Sequence, residues 1–441
     1  MMILTREKPI RRGGNMTTDI LIVGSGCSGL YCSLHLPRDK KITIITKSDK
    51  ESSDSFLAQG GICVLKNEDD YDAFFEDTLK AGHYENDRKS VSLMIETSPE
   101  VIADLVSCGV EFSCDENGNF IYTKEGAHSS NRILFHRDIT GKEITKKLLA
   151  RAEEKENISI LENTTLLDII EDGGECVGAV VAMPDGKTET ISAEYTVLAT
   201  GGIGGIYSHS TNFPHLTGDG IAIAAKHGIE LKDVNYIQIH PTTLYSEEET
   251  GRSFLISESV RGEGAKLYDK NMERFCDELL PRDLLTKKIH EQMKKDGTEY
   301  VWEDLRTIPE KELCEHFPNI VKHCMEKNFD VSKECIPVVP AQHYFMGGIK
   351  VDYNSKTSME GLYAIGETAC NGVHGKNRLA SNSLLESLVF ALFAARDMSK
   401  NPKEKKNLPP IDLSSYEDRE ALEKEYREIV LKEIEKFEKG E

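Results

Sequence analysis

Residues 19–29 read Asp19-Ile20-Leu21-Ile22-Val23-Gly24-Ser25-Gly26-Cys27-Ser28-Gly29. Asp19 to Val23 is a short apolar run that ends at a glycine, the pattern of a strand buried in a parallel sheet. A helical stretch follows to about His35, and Lys41 to Thr46 reads as a second strand. This is the βαβ opening of a doubly wound sheet. Gly24-Ser25-Gly26-Cys27-Ser28-Gly29 is a G-x-G-x-x-G. Alone, such a run can be a mere turn. Between a strand and a helix, its glycines let the backbone approach a diphosphate at a helix N-terminus. The acid expected at the end of the second strand is missing, and Thr46-Lys47 stands there. Either a hydroxyl replaces the carboxylate at a ribose, or the ribose is held elsewhere.

Outward from this unit the strand and helix texture continues. Tyr71 to Gly82 and Ser90 to Gly109 carry apolar residues at helical spacing, while Ser159 to Asp168, Cys176 to Met183 and Glu189 to Ala199 read as strands joined by turns. The last runs into Thr200-Gly201-Gly202, a second strand leading directly into glycines. Gly218 to Gly228 is helical again. From about Val234 to Gln342 charge rises and strands thin out, with Pro281 to Asp330 mostly helical and polar, so this stretch reads as an inserted second domain. Strand texture returns at Gly347 to Val351 and Gly361 to Ile365, and Ser383 to Met398 is a strong helix. Residues 401–441 begin with a Pro/Lys linker. They end in a charged helix docked by a stripe of Leu422, Tyr426, Ile429, Ile434 and Phe437. The expected organisation is an α/β chain: a Rossmann-like domain in two parts, 18–233 and 343–400, an α+β insert at 234–342, and a helical tail at 401–441.

Composition bounds the function. A chain of 441 residues with 29% charged residues and 39% apolar residues is an ordinary globular one. Its net charge of −21 argues against nucleic acid and against an anionic membrane surface as partners. No apolar run reaches the length of a membrane span. The basic N-terminus, with Arg6, Lys8, Arg11 and Arg12, has no apolar core and is not a secretory signal. Met16 is a candidate functional start, which would leave residues 1–17 as a poorly ordered leader. Eleven cysteines without a C-x-x-C pair read as reduced cytosolic thiols, and Cys314, Cys324 and Cys335 are too widely spaced for a zinc knuckle, so no metal site is expected.

Two further groups carry chemistry. Ser55-Phe56-Leu57-Ala58-Gln59-Gly60-Gly61-Ile62 has adjacent glycines, which permit close approach to a flat ring, although by itself it could be only a loop. The other group is scattered: Gln238 to Thr242 around His240, Pro281-Arg282-Asp283, His343-Tyr344 before Met346-Gly347-Gly348, and Asn377 to Ser383 around Arg378. A lone His or Arg is usually a surface or core residue. Two guanidiniums and two imidazoles converging on one pocket would hold a small dicarboxylate, since Arg pairs with carboxylate through two prongs.

These residues bring a family into view. Gly24–Gly29, Ala58–Ile62, Thr200–Gly205, Thr217–Gly220, Gln238–Thr242, Arg261–Ala265, Arg282, His343–Gly348, Gly366–Glu367 and Arg378–Glu386 occur in this order between about 18 and 398. The set resembles the succinate dehydrogenase/fumarate reductase flavoprotein superfamily, and within it the L-aspartate oxidase branch. In the respiratory members a histidine about five residues before the Gln of the Ala-Gln-Gly-Gly segment carries the flavin covalently. Asp54 and Ser55 stand here, so the resemblance implies non-covalent FAD. Lys124-Glu125-Gly126-Ala127-His128-Ser129 resembles the oxidase loop, with Ala127 in place of its second glycine. The family usually ends in a longer helical domain than residues 387–441 supply.

The resemblance implies roles. Gly24, Ser25, Gly26, Ser28 and Gly29 would line the FAD diphosphate, and Thr46 and Lys47 would lie near its adenosine. Ser53, Ser55, Gln59, Gly60, Gly61 and Asp219 would flank the isoalloxazine. Glu367 would hold the ribityl chain, and Ser383 and Leu384 would cover the ring. His240, His343 and Arg378 would clamp the two carboxylates of L-aspartate, with Gln238 and Ser257 also at the substrate. Arg282 would handle the proton. A free guanidinium keeps its proton to above about 12, so that role demands burial. Glu125 would pair with the substrate amine. The implied product is iminoaspartate for quinolinate and NAD synthesis, with oxygen or fumarate as acceptor, a quinolinate synthase as candidate partner and a cytoplasmic location. The alternative is a soluble fumarate reductase, which would lack the need for Glu125. An FAD-binding tRNA-modification protein would need a basic face, and a bare dinucleotide module would not need the His/Arg set.

Overall fold

The computed structural model describes residues 11–12, 15–246 and 251–440. Its centre is a five-stranded parallel sheet in the order Leu362–Ala364, Tyr195–Leu198, Ile20–Val23, Ile42–Ile45, Ile158–Leu161. All four residues of Ile20–Val23 are buried. Because side chains alternate along a strand, Ile20 and Ile22 enter one apolar core while Leu21 and Val23 enter another. On the first face pack the helices Cys27–His35, Thr140–Glu153 and Asn382–Lys400. On the second lies another five-stranded sheet, containing Thr165–Asp172, Glu175–Ala182 and Thr188–Ser192. Both faces are thus covered, as a parallel sheet requires.

Several elements differ from the sequence reading. The run expected as one strand from Ser159 to Asp168 is two, Ile158–Leu161 and Thr165–Asp172, in different sheets. Asn163 breaks it with a φ of 52°. Glu189 to Ala199 likewise divides into Thr188–Ser192 and Tyr195–Leu198. Within the expected leader, Arg11–Arg12 and Asn15–Thr17 form strands, and the latter pairs in parallel with Thr188–Ser192. Arg6 and Lys8 fall outside the described residues.

The segment read as strand-poor holds a four-stranded antiparallel sheet: Ile237–Leu244, Ile336–Phe345, Val301–Asp304 and Lys266–Tyr268. It has its own apolar core, from Leu244 and Ile256 through Leu285 and Ile289 to Val338. The expected boundary at 342 falls inside Ile336–Phe345, so a continuous strand carries the chain back toward the parallel sheet. Among the described residues no helix is long and apolar enough to cross a membrane.

The tail ends in the helix Arg419–Lys439, which buries Leu422, Tyr426, Val430 and Ile434. Ile429 and Phe437, expected on the stripe, are only half-buried, and Val430 takes the central place. The helix lies against Asp219–Lys226. Arg427 donates to the Ile206 carbonyl at 2.8 Å, and Tyr426 donates to the carbonyl of Leu167. A Cβ built on Gly218 would come within 3.1 Å of Val430. Val430→Ala should therefore open a cavity and lower stability by about 2 kcal/mol. The measurement is the denaturant midpoint at unchanged slope. An unmoved midpoint would mean that the helix is not docked there.

Candidate active site

A cleft of about 1630 Å³, its open mouth included, lies at the carboxyl ends of the parallel strands and faces the antiparallel sheet. That is where ligands of such sheets bind. Gly24, after Val23, has a φ of +124°, and a Cβ there would overlap the carbonyl of Ala199. A Cβ on Gly29 would overlap the carbonyl of Gly24. The turn into the helix Cys27–His35 can therefore be this tight only with glycine at both positions.

Of the residues given a role at the cofactor or the substrate, all but Gly29 and Gln238 line the cleft. Gly29 sits beneath the turn. Gln238 is one step behind the wall: its amide donates to Asn377 Oδ1 at 2.8 Å and to the Arg378 carbonyl at 2.9 Å, and its Oε1 accepts from Arg282 at 2.9 Å. It therefore links the two arginines. Ser257 accepts from Ser259 N as the cap of the short helix Glu258–Gly262.

At one end, Thr46 is buried and Lys47 pairs with Asp219 at 2.8 Å. Asp219 also accepts from Thr217 at 2.6 Å, so its partners Lys47 and Thr217 set it beside the residue assigned to the adenosine rather than beside the isoalloxazine, where the resemblance had placed it. Ser55 Oγ accepts from the Cys27 N–H at 3.1 Å, joining the Ser53–Gly61 segment to the glycine turn. Asp54 accepts from the Phe213 N–H at 2.9 Å, and burial pushes its carboxyl up to about 7. Glu367 accepts from the Phe345 N–H at 2.9 Å and is pushed up by burial, then by Asp54, to about 8.

At the other end stand the groups expected at a dicarboxylate. The His240 and His343 rings meet edge to face, with centroids 5.1 Å apart. Burial first and then Arg282 hold both imidazoles well below their ordinary pKa, so both are neutral. His343 Nδ1 lies 2.7 Å from Thr211 Oγ1. His240 Nδ1 lies 2.9 Å from the Thr242 carbonyl and 3.2 Å from the Thr242 N–H. Arg378 is buried over the Tyr344 ring at 4.4 Å and donates to Ser383 at 3.1 Å. Burial, then Arg282, lowers its pKa to about 10. Arg282 donates to Glu258 at 2.6 Å. Burial pushes the Glu258 carboxyl up, but Arg282 and Arg261 outweigh it and hold it below the ordinary range. Glu125 is buried and accepts from Ser381 at 2.6 Å and Ser259 at 2.8 Å. Burial, then Glu258, raises its pKa.

Sequence reading passed over Glu258, Arg252 and Thr211 and quoted Ser381 without giving it a role; all four line the cleft. Glu258 opens a helix, where an acid commonly answers the helix dipole. Nothing in its spacing sets it apart.

The cleft fits a polar ligand. Among the described residues, Ser53 Oγ, Asp54 Oδ2, Gln59 Oε1, His240 Nε2 and Arg378 Nε are buried without hydrogen-bond partners. Each such atom costs about 1–3 kcal/mol if left so. The first three belong to the segment assigned to the cofactor and the last two to the substrate end. Among the described residues no cluster of His, Cys, Asp or Glu is placed to hold a metal.

A glycine turn at the sheet's carboxyl edge and an extended polar cleft define a flavin-dependent oxidoreductase, and residues 19–384 match the family model described as an FAD binding domain. FAD is its cofactor. The L-aspartate oxidase of Clostridium perfringens is 52% identical over 381 residues, 86% of this chain and 86% of that protein. The L-aspartate oxidase of Clostridium acetobutylicum is 47% identical over 385 residues, 87% of this chain and 88% of that protein. The structure of a variant of the E. coli quinol fumarate reductase superposes with a TM-score of 0.83 at 29% identity, covering 96% of this chain and 75% of that chain. The chain belongs to the L-aspartate oxidase family, within the succinate dehydrogenase/fumarate reductase flavoproteins.

Neither Asp54 nor Ser55 can carry a histidyl flavin bond. Acid precipitation should leave the yellow colour in the supernatant, and colour kept by the pellet would contradict a non-covalent cofactor.

Proposed function

We propose that this chain oxidises L-aspartate at Cα to iminoaspartate and passes the electrons to fumarate or oxygen. Bound FAD supplies the hydride acceptor. Gly24, Ser25, Gly26 and Ser28 hold its diphosphate, Thr46, Lys47 and Asp219 its adenosine side, Glu367 its ribityl chain, and Ser55 to Gly61 with Ser383 and Leu384 its ring. The rest is done by the chain's own side chains.

Arg378 is the cationic anchor for a substrate carboxylate. Its unpartnered Nε and its Nη1 at Ser383 support this. His240 Nδ1 faces both the Thr242 carbonyl at 2.9 Å, which favours a proton on Nδ1, and the Thr242 N–H at 3.2 Å, which favours one on Nε2; a carboxylate placed at Nε2 would draw the ring to the Nε2–H form, the only neutral form that can donate to it. His240 then contributes a neutral donor rather than a charge. Arg282 is the proton-handling group, with Glu258 at its Nε as the place to which positive charge is tied. Gln238 keeps Arg282 in register with the Arg378 backbone.

The observation that carries the choice of substrate is Glu125. It is a buried carboxylate with two hydroxyl partners, a second carboxylate near it and a raised pKa, and it lines the same cleft as Arg378. An α-ammonium between Glu125 and the clamp would satisfy this charge, whereas succinate and fumarate have no group that could. Transfer of iminoaspartate to a quinolinate synthase, in the cytoplasm, completes the reading.

Glu125→Gln keeps size and polarity and removes the charge. It should cost L-aspartate oxidation about 2–4 kcal/mol of transition-state stabilisation, while fumarate reduction falls far less. Equal losses in one preparation would mean that Glu125 only supports its loop. Arg378→Lys keeps the charge but not the fork. It should weaken dicarboxylate binding by about 2–5 kcal/mol, with FAD retained. Unchanged apparent affinity for L-aspartate would place Arg378 outside the substrate pocket.

A further inference from the structure

A string of buried polar groups runs from the helix Tyr71–Ala81 to the Glu125 carboxylate, and the reaction as derived does not use it. Arg132 is fully buried. It donates to both oxygens of Asp70, at 3.2 and 3.1 Å, and to Asp77 at 2.6 Å. The same Nη1 lies 3.1 Å from Nδ1 of His128. A guanidinium can only donate, so His128 Nδ1 accepts and its ring proton resides on Nε2. Nε2 lies 3.0 Å from the Ala380 carbonyl, which can only accept. The two contacts together fix one neutral tautomer. Burial, with Arg132 adding to it, holds the His128 pKa down to about 4, in keeping with a ring that stays neutral.

Ala380 leads into Ser381, a non-glycine residue with a φ of +62°. Ser381 Oγ donates to Glu125 at 2.6 Å and accepts from the Gly61 N–H at 3.2 Å, while its carbonyl accepts from Cys63 N at 3.0 Å. The left-handed turn at 381 therefore sets one oxygen of Glu125 and one edge of the Gly60–Gly61 segment together. Such a conformation is strained for a non-glycine residue and persists only where its surroundings hold it. Glu125 and His128 are also tied within their own loop, through the His128 N–H to the Glu125 carbonyl at 3.3 Å.

We infer that His128, locked as its Nε2–H tautomer by Arg132, is a positioning residue that aims Glu125 at the substrate amine through the Ala380–Ser381 turn. The inference rests on the reading of Glu125 given above. The His128 ring hydrogen-bonds Ala380 and Arg132 and not the Glu125 carboxylate. It sets where that carboxylate stands.

The test compares KM for L-aspartate with KM for fumarate in the FAD-loaded protein. His128→Leu should raise the first by about tenfold, the size of one lost buried hydrogen bond, and move the second by less than about threefold. His128→Gln, which keeps a donor near the Nε2 position, should recover most of the loss. If His128→Leu does not fold, Arg132→Lys serves: it keeps charge between Asp70 and Asp77 but has a single nitrogen, and should show the same selective rise. The 15N spectrum of the His128 imidazole should report the Nε2–H form alone in the parent and a mixture of tautomers in Arg132→Lys. Equal effects on both substrates, no effect on either, or no rescue by Gln would overturn the inference while Glu125→Gln remains selective. If Glu125→Gln itself does not discriminate, the reading of Glu125 fails and the positioning role falls with it, so the two failures appear in different variants.

Discussion

Positive charge kept from water governs this cleft. Arg378 is enclosed by Tyr344, Ser383 and the wall of the cleft, and burial brings its pKa to about 10, which still leaves it cationic at neutral pH. With Arg282 it adds to the burial that keeps His343 neutral, and Arg282 does the same at His240. Two imidazoles that could have been cations are thereby turned into neutral partners. Arg282 has Glu258, whereas Arg378 Nε has no partner among the described residues. A desolvated guanidinium of that kind makes strong pairs with an anion, which is the basis of the proposed clamp.

The fold exists around this constraint. The parallel strands end together, and the glycine turn after Val23 brings a helix N-terminus to the edge of the cleft. Ile237–Leu244 and Ile336–Phe345, paired in one sheet, carry His240 and His343 to the same place. Asn382–Lys400 begins at Ser381, so the helix that packs the core on one side of the parallel sheet also fixes the turn beside Glu125. The apolar cores and the polar cleft share these elements, which makes the position of each functional group a property of the packing.

Much of this was legible in the sequence, for identifiable reasons. Asp19 to Gly29 could be read because an apolar run, a glycine and a helix in series have few structural meanings. The His/Arg set could be read because its members stand beside prolines and glycines that break regular structure. Thr46-Lys47 in place of the usual acid was visible too, but not that Lys47 reaches a distant Asp219. The resemblance put Gln238 at the substrate, yet its amide is spent behind the wall. Glu258 and Arg132 were missed because each acts through partners far away in the chain, Arg282 for one, Asp70 and Asp77 for the other. The break at Asn163 was missed because a single left-handed residue leaves no mark on hydrophobic spacing.

The central claim is that the cleft accepts the amine-bearing dicarboxylate as its reductant. Anaerobic addition of L-aspartate, and separately of succinate, to the FAD-loaded protein tests it most directly, with flavin absorbance as the readout. The account predicts bleaching by L-aspartate and none by succinate on the same time scale. Bleaching by succinate with L-aspartate inert would contradict it and assign the cleft to the dehydrogenation of an unsubstituted dicarboxylate.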